Sequence, residues 1–376
     1  MTIWTTVALD LIGFGIVVPI LGVYAERFGA SGYQVGWLFA TFSLAQLVFA
    51  PILGRLSDRI GRKPVIIISL VGTAIGSFIT GAAGALWVLF LGRIIDGASG
   101  ASQAVAQAAV ADIATPEQRP RLVGMLGAAF GVGFVLGPAI GGLAALGGPH
   151  VPFYVAGALA AINAVAALIR LPETKKPSSA PVRRRGLAIP KAGALRHLAV
   201  LGFIATFSFV AFETTFSLFG KNRFSLNEGS TAGVFLGVGL VLVVMQGGLF
   251  ARLSERVGVP RLYVMGLLVV AGGLLVTGVA EVWPVLIIGL LLVSVGQGVA
   301  SPSLTELVNR AAGEEHRGEA MGFQQSAYAV GRVIGPPLAG SAFDRVGVWS
   351  PMVLGGALMV VAAVMAVGWR VHHTPG

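Results

Sequence analysis

Apolar runs of about twenty residues follow one another along the whole chain, broken only by short polar turns, and nothing else in the sequence limits the fold so strongly. A bilayer core about 30 Å thick is crossed by roughly 20 apolar residues of α-helix, so each run has the length of one crossing. With short connections, the 376 residues hold about twelve crossings. Only 11% of residues are charged and 55% are hydrophobic, against about a quarter charged in ordinary soluble domains. A soluble globular enzyme is excluded, and so is a single anchor on a soluble body, because the runs continue to the C-terminus. The first run has no Lys or Arg before it and contains Asp10, so it is expected to be a permanent first span and not a signal peptide. The absence of cysteine removes disulfides, thiolate metal sites and a cysteine nucleophile. A net charge of +10 within so apolar a chain does not describe a nucleic-acid-binding domain, and no nucleic acid partner is expected.

Hydropathy and turn signals predict helices over 3–25, 34–54, 65–83, 86–112, 121–146, 153–171, 198–220, 230–251, 262–280, 283–309, 320–341 and 349–370. With this division Arg27, Lys221, Arg223 and Arg345 fall on one side of the membrane, Arg93 and Arg332 fall within it, and all the other Lys and Arg fall on the opposite side. The basic side is the cytoplasmic one, so a multi-pass protein of the cell (inner) membrane with both termini cytoplasmic is expected. Its basic residues are expected to meet anionic lipid head groups.

The longest polar interruption, rich in Pro, Ser and basic residues, reads as a linker. It gives an N-terminal six-helix bundle over 1–172, a cytoplasmic basic linker over 173–197 and a C-terminal six-helix bundle over 198–376. The halves resemble each other. Arg55-Leu56-Ser57-Asp58-Arg59-Ile60-Gly61 recurs as Arg252-Leu253-Ser254-Glu255-Arg256-Val257-Gly258, and Gly133, Gly137-Pro138 and Gly142 recur as Gly331, Gly335-Pro336 and Gly340. Two matches at nearly one offset imply duplication, the architecture of secondary transporters with a substrate path between the halves.

An ionisable group inside a span costs roughly 2.5–3.5 kcal/mol on insertion scales, so each needs a reason. Asp10 lies about seven residues into the first helix; it is either a proton carrier or a structural carboxylate satisfied by hydroxyls. Arg93 and Asp96 are three apart and share a helix face, either as a pair that exchanges partners on protonation or as a static ion pair. Glu213 and Arg332 belong near mid-membrane, where Arg332 either binds an acidic substrate group or neutralises Glu213. Glu306, beside Asn309 and Arg310, reads as an interfacial residue. Phe14, Phe212, Gln103, Gln107, Gln297, Gln324 and Gln325 are further candidates for lining a pathway. No nucleotide-binding loop or zinc-protease motif is present, so no cofactor or metal is expected, and an ion gradient is the expected energy source. His150 is placed in an outer loop with no metal role.

Several motifs carry a family resemblance. Gly54-Arg55-Leu56-Ser57-Asp58-Arg59-Ile60-Gly61-Arg62-Lys63 is similar to the signature between helices 2 and 3 of the major facilitator superfamily. Gly133-Phe134-Val135-Leu136-Gly137-Pro138-Ala139-Ile140-Gly141-Gly142 resembles the antiporter motif of its drug:proton exporters. Arg93-Ile94-Ile95-Asp96-Gly97 is similar to the helix 4 motif whose arginine is associated with proton coupling. Leu9-Asp10, Pro149-His150-Val151-Pro152-Phe153, Leu171-Pro172-Glu173-Thr174 and Phe219-Gly220 extend the resemblance to the twelve-helix tetracycline and multidrug exporters. The polar pattern of the tetracycline exporters in helices 3, 8 and 9 is not reproduced.

The resemblance implies an all-α integral membrane protein of twelve transmembrane helices in two pseudo-symmetric six-helix bundles, the major facilitator fold. It implies proton-coupled efflux of small amphipathic compounds or drugs by alternating access. Proton coupling then falls to Asp10, Arg93, Asp96 and Glu213. The gate is formed by Gly54, Asp58, Arg59, Gly61, Arg62 and Lys63, and tight packing by Gly133, Gly137, Pro138, Gly141 and Gly142. A small-molecule substrate and protons are the expected partners of a monomer. The alternatives are uptake or facilitated diffusion of a nutrient, export of a lipid-like metabolite, or a transport-inactive sensor or scaffold. No clustered nucleophile and base favours an enzyme.

Overall fold

The computed structural model describes residues 2–114, 119–174 and 193–373, which are nearly all helical and contain no strand. The elements are α1 (Thr2–Glu26), α2 (Gly32–Ile60), α3 (Arg62–Gly81), α4 (Leu86–Ser99), α5 (Ser102–Ile113), α6 (Arg119–Ala145), α7 (Val151–Arg170), α8 (Gly193–Phe224), α9 (Glu228–Val244), α10 (Phe250–Val257), α11 (Val259–Gly278), α12 (Trp283–Arg345) and α13 (Ser350–His373). Nine described helical stretches are each long and apolar enough to cross a membrane alone. The remaining crossings are the broken α4–α5 pair, α6 and the second leg of α12, which completes the twelve-helix arrangement.

Four details differ from the sequence expectation. The expected helix 86–112 is interrupted: at the junction Gly100 N–H bonds Gly97 O at 3.0 Å and Ala101 N–H bonds Ser99 O at 2.7 Å, shorter closures than the four-residue step of an α-helix. The expected helix 230–251 contains a π-helical segment, Met245–Leu249, between α9 and α10. Most of the expected 54–63 loop is helix, because α2 continues to Ile60 and only Gly61 separates it from α3. Finally, Trp283–Arg345 is one helical element, with no loop residue between the two helices expected over 283–309 and 320–341. A straight 63-residue helix would be about 95 Å long, yet a Cβ placed on Gly202 of α8 would lie 2.8 Å from Tyr328 and 3.3 Å from Leu304. Residues 24 positions apart meet one point, so α12 doubles back between them as two legs.

The chain divides into two compact units. The first comprises Met1–Ala30, Trp37–Arg184 and Leu226–Leu236; the second comprises Ser31–Gly36, Arg185–Ser225 and Gly237–Gly376. Most of the expected 173–197 linker lies outside the described residues.

In the first unit α1 packs on α6 and α7, and α3 on α4, α5 and α7. Gly133, Gly137 and Gly141 recur every four residues and so share one face of α6. A Cβ on Gly133 would stand 2.7 Å from Leu11 O, and one on Gly137 2.5 Å from the carbonyl carbon of Gly15. Small residues let the two backbones touch, the usual basis of close helix contact in a membrane. In the second unit α12 packs on α8 and α11, and α13 on α8 and α11. The duplication is visible in the backbone: Gly61 (φ 104°) and Gly258 (φ 82°), equivalent in the repeat, both make the turn in the left-handed half of φ space that favours glycine.

Candidate functional site

Within the spans of the first unit, the half-buried Asp10 and the buried Arg93 and Asp96 form one constellation. The Asp10 carboxylate, on α1, accepts a short hydrogen bond from the Ser102 hydroxyl at the start of α5. On α4, Arg93 Nη1 donates to Asp96 Oδ2 at 2.8 Å; the two side chains are 4% and 11% exposed, which makes this a buried ion pair. Asp96 lies within electrostatic range of Asp10. The Arg93 guanidinium carbon sits 4.4 Å from the centroid of the Phe42 ring, a cation–π geometry, and Phe42 stands 5.8 Å from the ring of Phe14. Arg93 Nε is buried with no hydrogen-bond partner among the described residues. The arginine is thus paired on one side and stacked on another, with its Nε–H left without a partner among the described residues.

The sequence pointed to Asp10, Phe14, Arg93 and Asp96, and the structure brings them together. Ser102 and Phe42 were not singled out: the run Gly97-Ala98-Ser99-Gly100-Ala101-Ser102 permits a break without requiring one. Gln103 is half-buried beside this site in the sequence, and Gln107 is exposed.

At the Ile60 end of α2 a second cluster is centred on Arg62, which is 7% exposed. Its guanidinium donates to Asp112 at 2.8 Å, Ser57 at 2.7 Å and Asp58 at 3.0 Å. The carboxylate of Glu173 accepts the backbone N–H of Arg62 at 2.8 Å and of Lys63 at 3.1 Å, capping the N-terminus of α3. A Cβ on Gly61 would overlap that carboxylate, whereas Gly54 has open space around it. Arg59 is exposed and Lys63 half-buried. Asp112 and Glu173 were not among the gating candidates because they lie far along the chain from Arg62.

In the second unit Glu213 is buried and the charge of Arg332 acts on it. Phe212 lies in an aromatic ladder on α8 with Phe216 at 5.3 Å. Gln324 is buried and donates to the Tyr328 hydroxyl at 2.7 Å; Gln297 is half-buried and Gln325 exposed. Glu306 pairs with Arg310 at 2.7 Å, with both side chains well exposed. His150 lies in the turn before α7, where its Nδ1 is 2.6 Å from the Tyr24 hydroxyl. The antiporter-motif residue Gly142 faces Ala232 and Gly229 of α9, within the first unit.

A helical membrane bundle built on a duplicated motif, with ion pairs and carboxyls inside its spans, has the construction of a secondary transporter. The chain belongs to the Major Facilitator Superfamily, whose family model matches residues 3–258 and 242–376. It is 33% identical over 344 residues to a class E tetracycline resistance protein of Escherichia coli, covering 87% of this chain and 84% of the relative. It is 28% identical over 375 residues to multidrug resistance protein 1 of Bacillus subtilis, covering 97% and 95%. The crystal structure of the human organic anion transporter MFSD10 (TETRAN) matches with a TM-score of 0.73 at 26% identity, over 97% of this chain and 98% of that one. The protein is therefore a multi-pass membrane transporter of this superfamily.

Proposed function

We propose that this transporter is a proton-coupled exporter of small amphipathic compounds, working by alternating access. The observation that carries the proposal is the Asp10–Ser102 and Arg93–Asp96 constellation. It places two carboxyls and one arginine inside the spans of a single unit, a costly arrangement unless the charges are used. Relatives named for tetracycline and multidrug resistance support the direction of transport. In this scheme a proton taken up by Asp10, or by Asp96 of the ion pair, weakens substrate binding and favours return; its release to the cytoplasm restores the binding charge. Glu213, Arg332 and Gln324 contribute the substrate-facing chemistry of the C-terminal bundle. The bundles are 1–172 and 198–376, joined by the basic segment 173–197, with both termini cytoplasmic. The cluster around Arg62 serves as the gate that holds Asp58 in one state and releases it in the other, while Arg59 and Lys63 meet anionic lipid head groups.

The test is flux in proteoliposomes with and without an imposed pH gradient, comparing wild type with Asp10→Asn. Proton-coupled export predicts gradient-driven flux in the wild type and loss of that dependence in the variant. Flux indifferent to the gradient refutes proton coupling, and an unimpaired Asp10→Asn refutes the role of Asp10.

A further inference from the structure

Asp10 and Asp96 lie on different helices, and what joins them to one site is a break in the fourth span. A continuous helix turns about 100° per residue, so the six residues from Asp96 to Ser102 would set their side chains about 120° apart. With α4 ended at Ser99 and α5 restarted at Ser102, the Ser102 hydroxyl reaches Asp10 while Asp96 stays within electrostatic range of the same carboxyl. A break costs backbone hydrogen bonds, and in a membrane interior no bulk water replaces them. Gln46 of α2 supplies one replacement: its Nε2 donates to Gly100 O at 2.8 Å. A Cβ on Gly100 would stand 2.8 Å from that same nitrogen, so glycine at this position leaves room for the amide. Gly97, one turn earlier, is closed over by the backbone of Phe42 on α2. The break is thus held from outside its own helix.

We propose that Ser102 is the positioning residue for the Asp10 carboxyl and that Gln46 is the strut keeping the α4–α5 break in the shape that delivers it. The inference rests on the proton-carrying role proposed for Asp10. A hydroxyl suits the task because it donates to a carboxylate and accepts from a carboxylic acid, so one residue orients Asp10 in both protonation states. The charged group that acts on Asp10 is Asp96, itself paired with Arg93; Ser102 is the neutral partner.

The experiment is infrared pH-difference spectroscopy on the purified full chain, which needs no substrate. Subtracting the Asp10→Asn spectrum from wild type isolates the Asp10 carboxyl band. Ser102→Ala is expected to change the frequency of that band and displace its titration midpoint by about half a pH unit or more. Ser102→Thr, which keeps the hydroxyl, restores both, and Gln46→Leu gives a smaller displacement in the same sense as Ser102→Ala. A wild type without an Asp10 band, a band unmoved in Ser102→Ala, or one displaced equally in Ser102→Thr overturns the proposal. A parallel arm follows ethidium efflux from proteoliposomes. Wild-type efflux that ignores the pH gradient sinks the exporter proposal alone, and leaves the infrared result on Ser102 standing.

Discussion

Replacing Gly137 by alanine tests whether the α1–α6 contact is as close as the structure places it. The added Cβ would lie 2.5 Å from the carbonyl carbon of Gly15, 2.6 Å from its Cα and 2.9 Å from Ile12 O. All three atoms are backbone, so no side chain can swing away. An ordinary carbon contact needs about 3.5 Å, and the helices must part by about 1 Å. Overpacking of this kind costs about 1–3 kcal/mol, while removing a glycine from a helix interior returns about 0.5–1 kcal/mol. With rigid neighbours the upper part of the range applies, leaving a net loss of about 2 kcal/mol. For a unit of this size that corresponds to a fall in Tm of roughly 4–8 °C, read by scanning fluorimetry on monodisperse protein in detergent. The matched control is Gly13→Ala on α1, where a Cβ would meet nothing within 4 Å, so the helix preference acts alone and Tm holds or rises slightly. Equal shifts in the two variants, or a stabilised Gly137→Ala, would refute the packing.

Three further outcomes follow from other contacts. Gly61→Ala places a side chain at φ 104° and against the Glu173 carboxylate, and should cost about 2 kcal/mol, whereas Gly54→Ala should be nearly neutral by the same thermal assay. Asp344 accepts the backbone N–H of Gly32 and of Tyr33, each at 2.8 Å, at the start of α2. Asp344→Ala removes this cap at about 1 kcal/mol, and Asp344→Asn should recover part of the loss. Arg27, outside the spans, bonds Glu228 at 2.7 Å, and that hydrogen bond raises the guanidinium's pKa. A raised folded pKa gives stability that is complete below the unfolded value and lost only as pH climbs past it. Melting between pH 6 and 9 should therefore show no step from this pair. With the Arg27 side chain 51% exposed, Glu228→Gln should move Tm by no more than about 2 °C.

The parts of the fold visible in the sequence were those written in local pattern. Each span announced itself by hydropathy, and the duplication by the recurrence of 55–61 at 252–258, whose terminal glycines share a positive φ. The candidate charges were visible because Asp10, Arg93, Asp96, Glu213 and Arg332 stand in apolar surroundings. The break after Ser99 was hidden, since alanine, serine and glycine are as common in continuous membrane helices as in broken ones. The end of α2 was read as loop because its charges and glycines resemble a turn, yet Asp58 and Arg62 are one helical turn apart in sequence and bond across the Gly61 junction. The distant partners of Arg62 could not be read at all: Asp112 lies 50 residues away and Glu173 111.

By itself, then, the sequence determined that the chain lives in a bilayer, how many times it crosses and which charges stand within its spans, because those follow from transfer energies along a single strand of residues. Which hydroxyl meets which carboxyl was decided only by tertiary structure. Asp10 and Ser102 are 92 residues apart, and their meeting depends on a helix break whose freed carbonyl is satisfied by a glutamine on a third helix. A hydrogen bond of that kind has no signature in either partner's neighbourhood, since its energy comes from satisfying polar groups brought together in a medium without water.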